Sequence, residues 1–595
     1  KNDFQNLPAM AGRVCILLFV AGIAVQASSE LIAAKAWQPS LSDFQWPELA
    51  GNSILANQLL AKEDFAIALA GGGMRGMALG HGVLRTLRNS GLLEKARYLS
   101  VTSGSVWLGL PLYYQSVDTL DDYLGESLQP QEMLPQALLE RTGTGIGRLT
   151  HFNAYPKNKT LRETEHQQRQ WWHGWADGAN FFDCPADEGW CACIVERFQP
   201  GSFHNLYPFL TAYAFLHPFE LAGRGSTHCH ETQLDRMKAK LGKEKTIYTA
   251  KDISRKLPFL LSQSAVIAPY TGLNQTDPLV FFPLEQTSLY AGTVPGYNSS
   301  ASHRSIGDVL VEPFAWGSRV VSSLDNFSNG DEMMMDVSRG ILNAGDLASW
   351  AGIATSYIAD FQIRGWADKI PKCLIAESEK LLPSAELWSP LNVDAKRVPV
   401  THAEAVGDSG VYDDIGHIPL LRRRISKIAI FTSGAIHDDL CQMTYVLAAW
   451  GQPGCLTPPN KPGASNPKMQ ADVLTVFEPS EFPGFWSQVQ RAWEANETAM
   501  VRGRYTVVEN KVLGIRGGWT ADVLWVIVFP SKSFRDSLPS NTSEMLSHWF
   551  PNEFAADMTS RLEMSTASQY GSWLARRSVP LIQQLLGGIG ENVFV

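Results

Sequence analysis

An α/β fold built on a mostly parallel sheet is predicted by three features of the chain. Residues 64–70, Asp-Phe-Ala-Ile-Ala-Leu-Ala, form a buried strand that runs straight into Gly71-Gly72-Gly73-Met74-Arg75. An amphipathic stretch follows, and a second strand, 98–102, ends at Ser103. Strand, loop, helix and strand within about forty residues is the size of one βαβ unit. Much later, 521–529 is an unbroken apolar run of the kind buried on both faces of a parallel sheet.

Each element of the first unit has a chemical reading. The glycine loop and the serine fall at the same carboxyl edge of the sheet, where open α/β folds place ligands. A serine hydroxyl is a weak nucleophile and needs a tight, small-residue turn to reach a carbonyl. Attack makes an oxyanion, which donors already aimed at it stabilise by several kcal/mol. Gly72 and Gly73 allow the backbone approach this requires, and the N–H of Gly104 completes the set. Arg75 stands in the first turn of the following helix, where a cation opposes the helix dipole unless an anion is bound. A phosphate held by the guanidinium is such an anion.

A base is supplied by a second signature, Val406-Gly407-Asp408-Ser409-Gly410, followed by Ile418-Pro419-Leu420-Leu421 and a short strand at 427–431. Asp408, at the end of an irregular segment, is placed to accept the serine's proton. Alone, Asp-Ser-Gly is ordinary turn chemistry; its weight comes from the pairing with Ser103.

Together these motifs resemble the catalytic domain of fungal phospholipase B (lysophospholipase) and the cytosolic group IV phospholipase A₂ enzymes, relatives of the patatins. The matching residues are Gly71-Gly72-Gly73-Met74-Arg75, then Val101-Thr102-Ser103-Gly104-Ser105 with Trp107, then Asp408-Ser409-Gly410. Val280-Phe281-Phe282-Pro283-Leu284-Glu285, with Tyr290-Ala291-Gly292-Thr293, resembles a fourth family segment. Val101 stands where the family has glycine. The resemblance implies a patatin-like three-layer domain and a Ser–Asp dyad without histidine. It assigns Ser103 as nucleophile, Asp408 as base, Gly72 and Gly73 to the oxyanion hole, and Arg75 to the phosphate. The implied substrates are glycerophospholipids or lysophospholipids at a membrane or micelle surface.

Composition bounds the remaining possibilities. A net charge of −9 and a pI near 5.9 argue against nucleic acid as a partner. No cofactor is called for, and neither an EF-hand loop nor a spaced zinc motif is present, so the metal assignment is none. Cys229 between His228 and His230 is the one metal-like cluster, and it lacks a second spaced pair. Residues 1–29 read as a signal peptide and leader, with Arg13, an apolar run from Val14 to Ala24, and small residues before Ser28. That leader, with sequons at Asn158, Asn274, Asn298, Asn326, Asn496 and Asn541, points to the secretory pathway. After the leader an odd seven cysteines remain, which leaves at least one thiol free or paired with another chain; Cys441 and Cys455 are placed to close a short loop.

One catalytic domain over 30–595 is expected. Its linker carries Pro39 and Pro47, a cap-like insertion spans about 140–260, and the sheet resumes from 246. The tryptophan-rich stretch 171–190 reads as the part that meets lipid. Two other readings fit the same motifs. One is an α/β-hydrolase with a Ser–Asp–His triad drawing on His417 or His437. The other is a lipid-binding homologue with a weakened site, which Val101 permits.

Overall fold

A computed structural model describes residues 30–150, 211–268, 280–299, 304–337, 346–356, 383–433, 440–454, 473–546 and 561–587, apart from positions 52, 213, 224–225 and 326. The leader, the stretch 171–190, Cys184, Cys191, Cys193, Cys373, Cys455, Asn158, Asn274 and His437 lie outside the described residues.

The elements that build the main sheet and its principal helices run in chain order. They are β1 (Leu31–Trp37), β2 (Phe65–Leu69), α1 (Gly73–Asn89), β3 (Tyr98–Thr102), α2 (Gly104–Tyr114), β4 (Phe259–Ala268) and β5 (Val280–Gln286). Then come β6 (Ala291–Thr293), β7 (Val309–Val311), β8 (Arg319–Val320), β9 (Glu332–Asp336), β10 (Ser384–Val393) and β11 (Pro399–Asp408). The last are β12 (Lys427–Phe431), β13 (Ala499–Val507), β14 (Trp519–Ile527) and α3 (Arg561–Gly587). The strands form one 14-stranded sheet in the order β8-β9-β1-β7-β6-β5-β4-β3-β2-β12-β14-β13, with the β10–β11 hairpin joined to β4.

The sheet is parallel through its centre, β4-β3-β2-β12-β14, and antiparallel on both sides of that block. The central strands divide their side chains cleanly. Phe65, Ile67, Leu69, Leu99, Val101, Ala429, Phe431, Leu524 and Val526 join one core, with α1, α2 and α3. Ala66, Ala68, Tyr98, Ile428, Ile430, Val523, Trp525 and Ile527 join the other, with helices Ile54–Ala61 and Phe482–Glu494. Alternation between two apolar layers is why these strands read as continuous hydrophobic runs, and it gives the three layers. Val101 is fully buried within β3, where a β-branched residue is at home.

Several expectations are corrected. The sheet does not resume at 246: Ile247–Ala250 pairs in parallel with Thr227–His230 in a separate two-stranded sheet, and β4 is the strand that rejoins the centre. Asp408 ends a ten-residue strand, not an irregular segment. Part of the expected linker is β1, which is paired on both edges. Its inward Ala34 and Ala36 have low strand propensity, which hid it. The described part of the insertion packs on the active unit: Phe215 stacks on Trp107 of α2 at 3.9 Å between ring centres.

The helical layer depends on close approach of α1 and α3. A Cβ on Gly82 would lie 1.7 Å from the Ser568 carbonyl oxygen and 2.6 Å from the Ser572 nitrogen. Between the same helices the buried Arg85 donates to Leu124 O (2.5 Å), Ser572 Oγ (2.8 Å) and Ser568 Oγ (2.9 Å). Its charge is thereby fully solvated by protein oxygens, as a buried cation requires. Gly82→Ala must push α3 outward and disturb this network, and should lower unfolding stability by about 3 kcal/mol. An unchanged denaturation midpoint would rule out this packing.

Candidate active site

Strand register brings the two sequence motifs together. Along one edge of β4, Thr102 of β3 pairs with Gln263, and Asp408 of β11 pairs with the next residue, Ser264. Ser103 follows Thr102 directly, so the serine and the aspartate meet where β3 and β11 both end. The Ser103 hydroxyl donates to Asp408 Oδ2 at 2.7 Å, and Asp408 Oδ1 accepts from the Gly410 N–H at 2.8 Å. Both residues are nearly buried, at 9% and 2% exposure. A carboxylate in this position is an acceptor matched to the proton that a nucleophilic serine must lose.

The serine sits on a strained turn. Its φ of 48° and ψ of −127° lie outside the regions that non-glycine residues favour. Two contacts hold the turn from behind: the Thr102 hydroxyl bonds Ser409 Oγ and donates to the Asp413 carbonyl at 3.1 Å.

The glycine loop lies against this turn. A Cβ on Gly104 would stand 1.9 Å from the Gly73 carbonyl oxygen, so the N-termini of α1 and α2 touch beside Ser103. The first N–H groups of each helix have no partner within that helix, and both dipoles present their positive ends here. Gly72, the α1 N-cap, has a φ of 101° that a side chain would strain. A Cβ on it would meet Ser433 Oγ at 2.5 Å and Arg75 Nη2 at 2.9 Å. Gly71 is equally hemmed in, with Asp414 Oδ1 at 2.1 Å and Ser103 Cβ at 2.6 Å from the same construction. Thus Ser103, Asp408, Gly72, Gly73, Gly104 and Arg75 are gathered at one point of the sheet edge. Burial pushes the Arg75 guanidinium down to about 10, partly offset by the nearby Asp414 carboxyl, so it remains a cation at neutral pH.

The described histidine candidate, His417, is engaged elsewhere. His417 turns its Nδ1 to Asp413 Oδ1 at 3.2 Å, while the Ser103 hydroxyl is engaged by Asp408. Beside Cys229, the ligand atoms of His230, Glu231 and Asp252 lie within 4.8 Å of one another. His230 Nδ1 accepts from the Thr232 N–H at 3.2 Å, so its proton is on Nε2, which faces Asp252 Oδ1 at 2.8 Å. Burial pushes the Cys229 thiol up to about 12, and it is a free cysteine. Cys441 is disulfide-bonded. Glu285, in the fourth motif, belongs to the scaffold: it is buried with Arg423 at 2.5 Å and Arg422 at 3.5 Å.

Sequence reasoning missed Asp413, Asp414 and Ser433. Asp413 is the hub of the loop after Asp408, accepting from the Ile415, Gly416 and Ile418 N–H groups at 2.9–3.2 Å and from Gln263 Nε2 at 2.7 Å. The Gly71 N–H donates to the Asp414 carbonyl at 2.8 Å, tying that loop to the glycine loop. The Asp-Asp doublet between two recognised motifs was the available signal.

Residues 65–155 match the family model of the lysophospholipase catalytic domain, PLA2_B. The matched segment holds the βαβ unit with the glycine loop and Ser103. The chain also aligns over 88% of its length with human GIVD cytosolic phospholipase A2, at 14% identity and a TM-score of 0.44, covering 60% of that structure. The same human protein in complex with methyl gamma-linolenyl fluorophosphonate aligns over 88% of the chain at 15% identity, covering 59% of it, with a TM-score of 0.39. The chain therefore spans about 60% of the length of these structures. No curated protein matches it.

Within this site, Asp413 makes a pH-dependent contribution. Burial alone would raise its carboxyl, but His417 and its other donors hold it at about 2, below the ordinary 3.8. A depressed folded-state value stabilises the fold above the unfolded value, and that stability is lost as pH falls toward 2. Wild-type protein should lose about 2 kcal/mol from this group between roughly pH 5 and pH 2. Asp413→Asn should be less stable at neutral pH and should lack this part of the acid loss. Parallel acid profiles in urea unfolding would contradict it.

Proposed function

We propose that this chain is a serine acylhydrolase that releases fatty acids from glycerophospholipids, lysophospholipids or both, through an acyl-serine intermediate. The observation that carries the reading is the 2.7 Å hydrogen bond from Ser103 to Asp408, made beside touching helix N-termini and a glycine loop. Ser103 Oγ attacks the ester carbonyl as Asp408 takes its proton. The oxyanion is met by backbone N–H groups of Gly72, Gly73 and Gly104. Collapse breaks the ester C–O bond, and Asp408 returns the proton to the departing alcohol. Water, deprotonated by Asp408, then attacks the acyl-serine and frees the fatty acid. No metal or cofactor enters these steps.

Arg75 gives the reading its substrate class. A cation in the first turn of α1, beside the oxyanion loop, suits a lipid phosphate and adds binding that a neutral glyceride cannot use. Action at a membrane or micelle surface and passage through the secretory pathway belong to the same proposal; the latter rests on the leader and the sequons.

A fluorophosphonate probe should label wild-type protein and fail to label Ser103→Ala. Ser103→Ala and Asp408→Asn should each lower kcat by about a thousandfold or more while leaving the fold intact. Arg75→Ala should depress phospholipid or lysophospholipid turnover strongly and a neutral short-chain ester little. Full activity in either dyad variant removes the mechanism, and equal loss on all substrates removes the phosphate role.

A further inference from the structure

Asp414 is not needed by the steps above, yet it lies among the groups that carry them. Its Oδ1 occupies the space directly over Gly71, where a Cβ would stand 2.1 Å from it and 2.6 Å from Ser103 Cβ. The same oxygen approaches Gly410, the residue whose N–H holds Asp408. The charged groups that act on it are Arg75 from α1, Asp408 from the end of β11, and Asp413 beside it, which is itself held by His417 and Gln263. Ser103 and Ser433, the other side chains bordering the glycine loop, are neutral.

Two carboxyls and one guanidinium in so small a volume cannot all be charged when a substrate phosphate arrives. Asp408 is the better placed to remain ionised, because it accepts from Ser103 and from the Gly410 N–H. Burial and the nearby Asp408 charge drive the Asp414 carboxyl well above the usual range, with Arg75 opposing them. We propose that Asp414 is a specificity-determining positioning residue: its carboxyl, lodged on the glycine loop that also borders Arg75, must be uncharged for Arg75 to hold the phosphate of a lipid. This rests on the phospholipid reading given above. When Asp414 ionises, it neutralises Arg75 and repels the phosphate. Neutral esters, which make no use of Arg75, bind without regard to its charge.

The test is binding, not turnover, so that it stands apart from the hydrolytic reading. An ether-linked lysophospholipid and the matching 1-O-alkylglycerol, neither with a carboxylic ester to cleave, are titrated as monomers into wild-type, Asp414→Asn and Arg75→Ala proteins from about pH 5.5 to about pH 9. In wild-type protein the preference for the phosphate lipid should fall about tenfold or more as pH rises. Asp414→Asn should keep the acidic-pH preference throughout, and Arg75→Ala should show none. A wild-type preference that is absent or flat with pH overturns the proposal, and this arm needs no variant to fold. A folded Asp414→Asn protein that keeps the wild-type fall overturns it equally. A protein that binds in the expected pattern but hydrolyses no phospholipid removes the hydrolytic reading alone. One that hydrolyses phospholipid with a flat preference removes the role of Asp414 alone.

Discussion

The site depends on one edge of β4 being shared by two strands. Residues 259–263 pair with β3 in parallel, and 264–267 pair with β11 antiparallel. Parallel and antiparallel neighbours on one edge cannot overlap, so one must end where the other starts. The chain leaving β3 turns sharply at Ser103, and the chain ending β11 delivers Asp408 to the same spot. A single pairing register thus sets a contact between residues 305 positions apart. Slipping β11 by one residue would send Asp408 to the opposite face of the sheet and leave Ser103 without an acceptor. Precision in the site is inherited from backbone hydrogen bonds, which are far stiffer than any side-chain contact could make it.

Keeping that junction open is costly, and the surroundings bear the cost. Ser103 holds a backbone conformation that is worth of order 1–3 kcal/mol of strain. Thr102 offsets part of it by bonding Ser409 and the Asp413 carbonyl, and Asp413 fixes the loop behind it through three backbone N–H groups. Farther out, Arg423 is clamped by Glu48 at 2.8 Å and Glu285 at 2.5 Å, and lies 3.7 Å from the Trp46 ring centre. That network links the segment before β2, the strand β5 and the helix Ile418–Arg422. A buried pair of this kind is weak evidence of net stability, but removing one member leaves an unpaired charge in the core. Its effect is to fix the loop that carries Asp413 and Asp414 relative to the sheet.

What the sequence reveals follows from which physical signals are local. Strands β2, β3, β12 and β14 are legible because each is buried on both faces and reads as a short apolar run. The glycine loop is legible because only glycine tolerates the approach of Asp414, Ser103, Ser433 and Arg75 to its backbone. Ser103, Asp408, Gly72, Gly73, Gly104 and Arg75 could therefore be named and are found together. The antiparallel flanks are not legible. Strand β1 hides behind two alanines, and β11 mixes Thr401, His402 and Glu404 with apolar residues before reaching Asp408. The strand at 247–250 is real, but its partner, 227–230, is a matter of tertiary pairing that no local pattern announces.

The Asp413-Asp414 doublet marks the limit of such reading. Two identical, adjacent side chains have the same propensity and the same charge, yet they have opposite fates. Asp413 turns toward the amides of 415–418 and the ring of His417, which hold it ionised. Asp414 turns toward Gly71, where burial and then Asp408 disfavour its charge and Arg75 favours it. What separates them is a single step along the chain, which rotates one carboxyl into a nest of donors and the other onto a glycine without a side chain to exclude it. The triple glycine therefore has a second consequence beyond exposing N–H groups to an oxyanion. By leaving room over Gly71, it admits a second carboxyl beside the nucleophile, and so ties the charge available at Arg75 to the proton on Asp414.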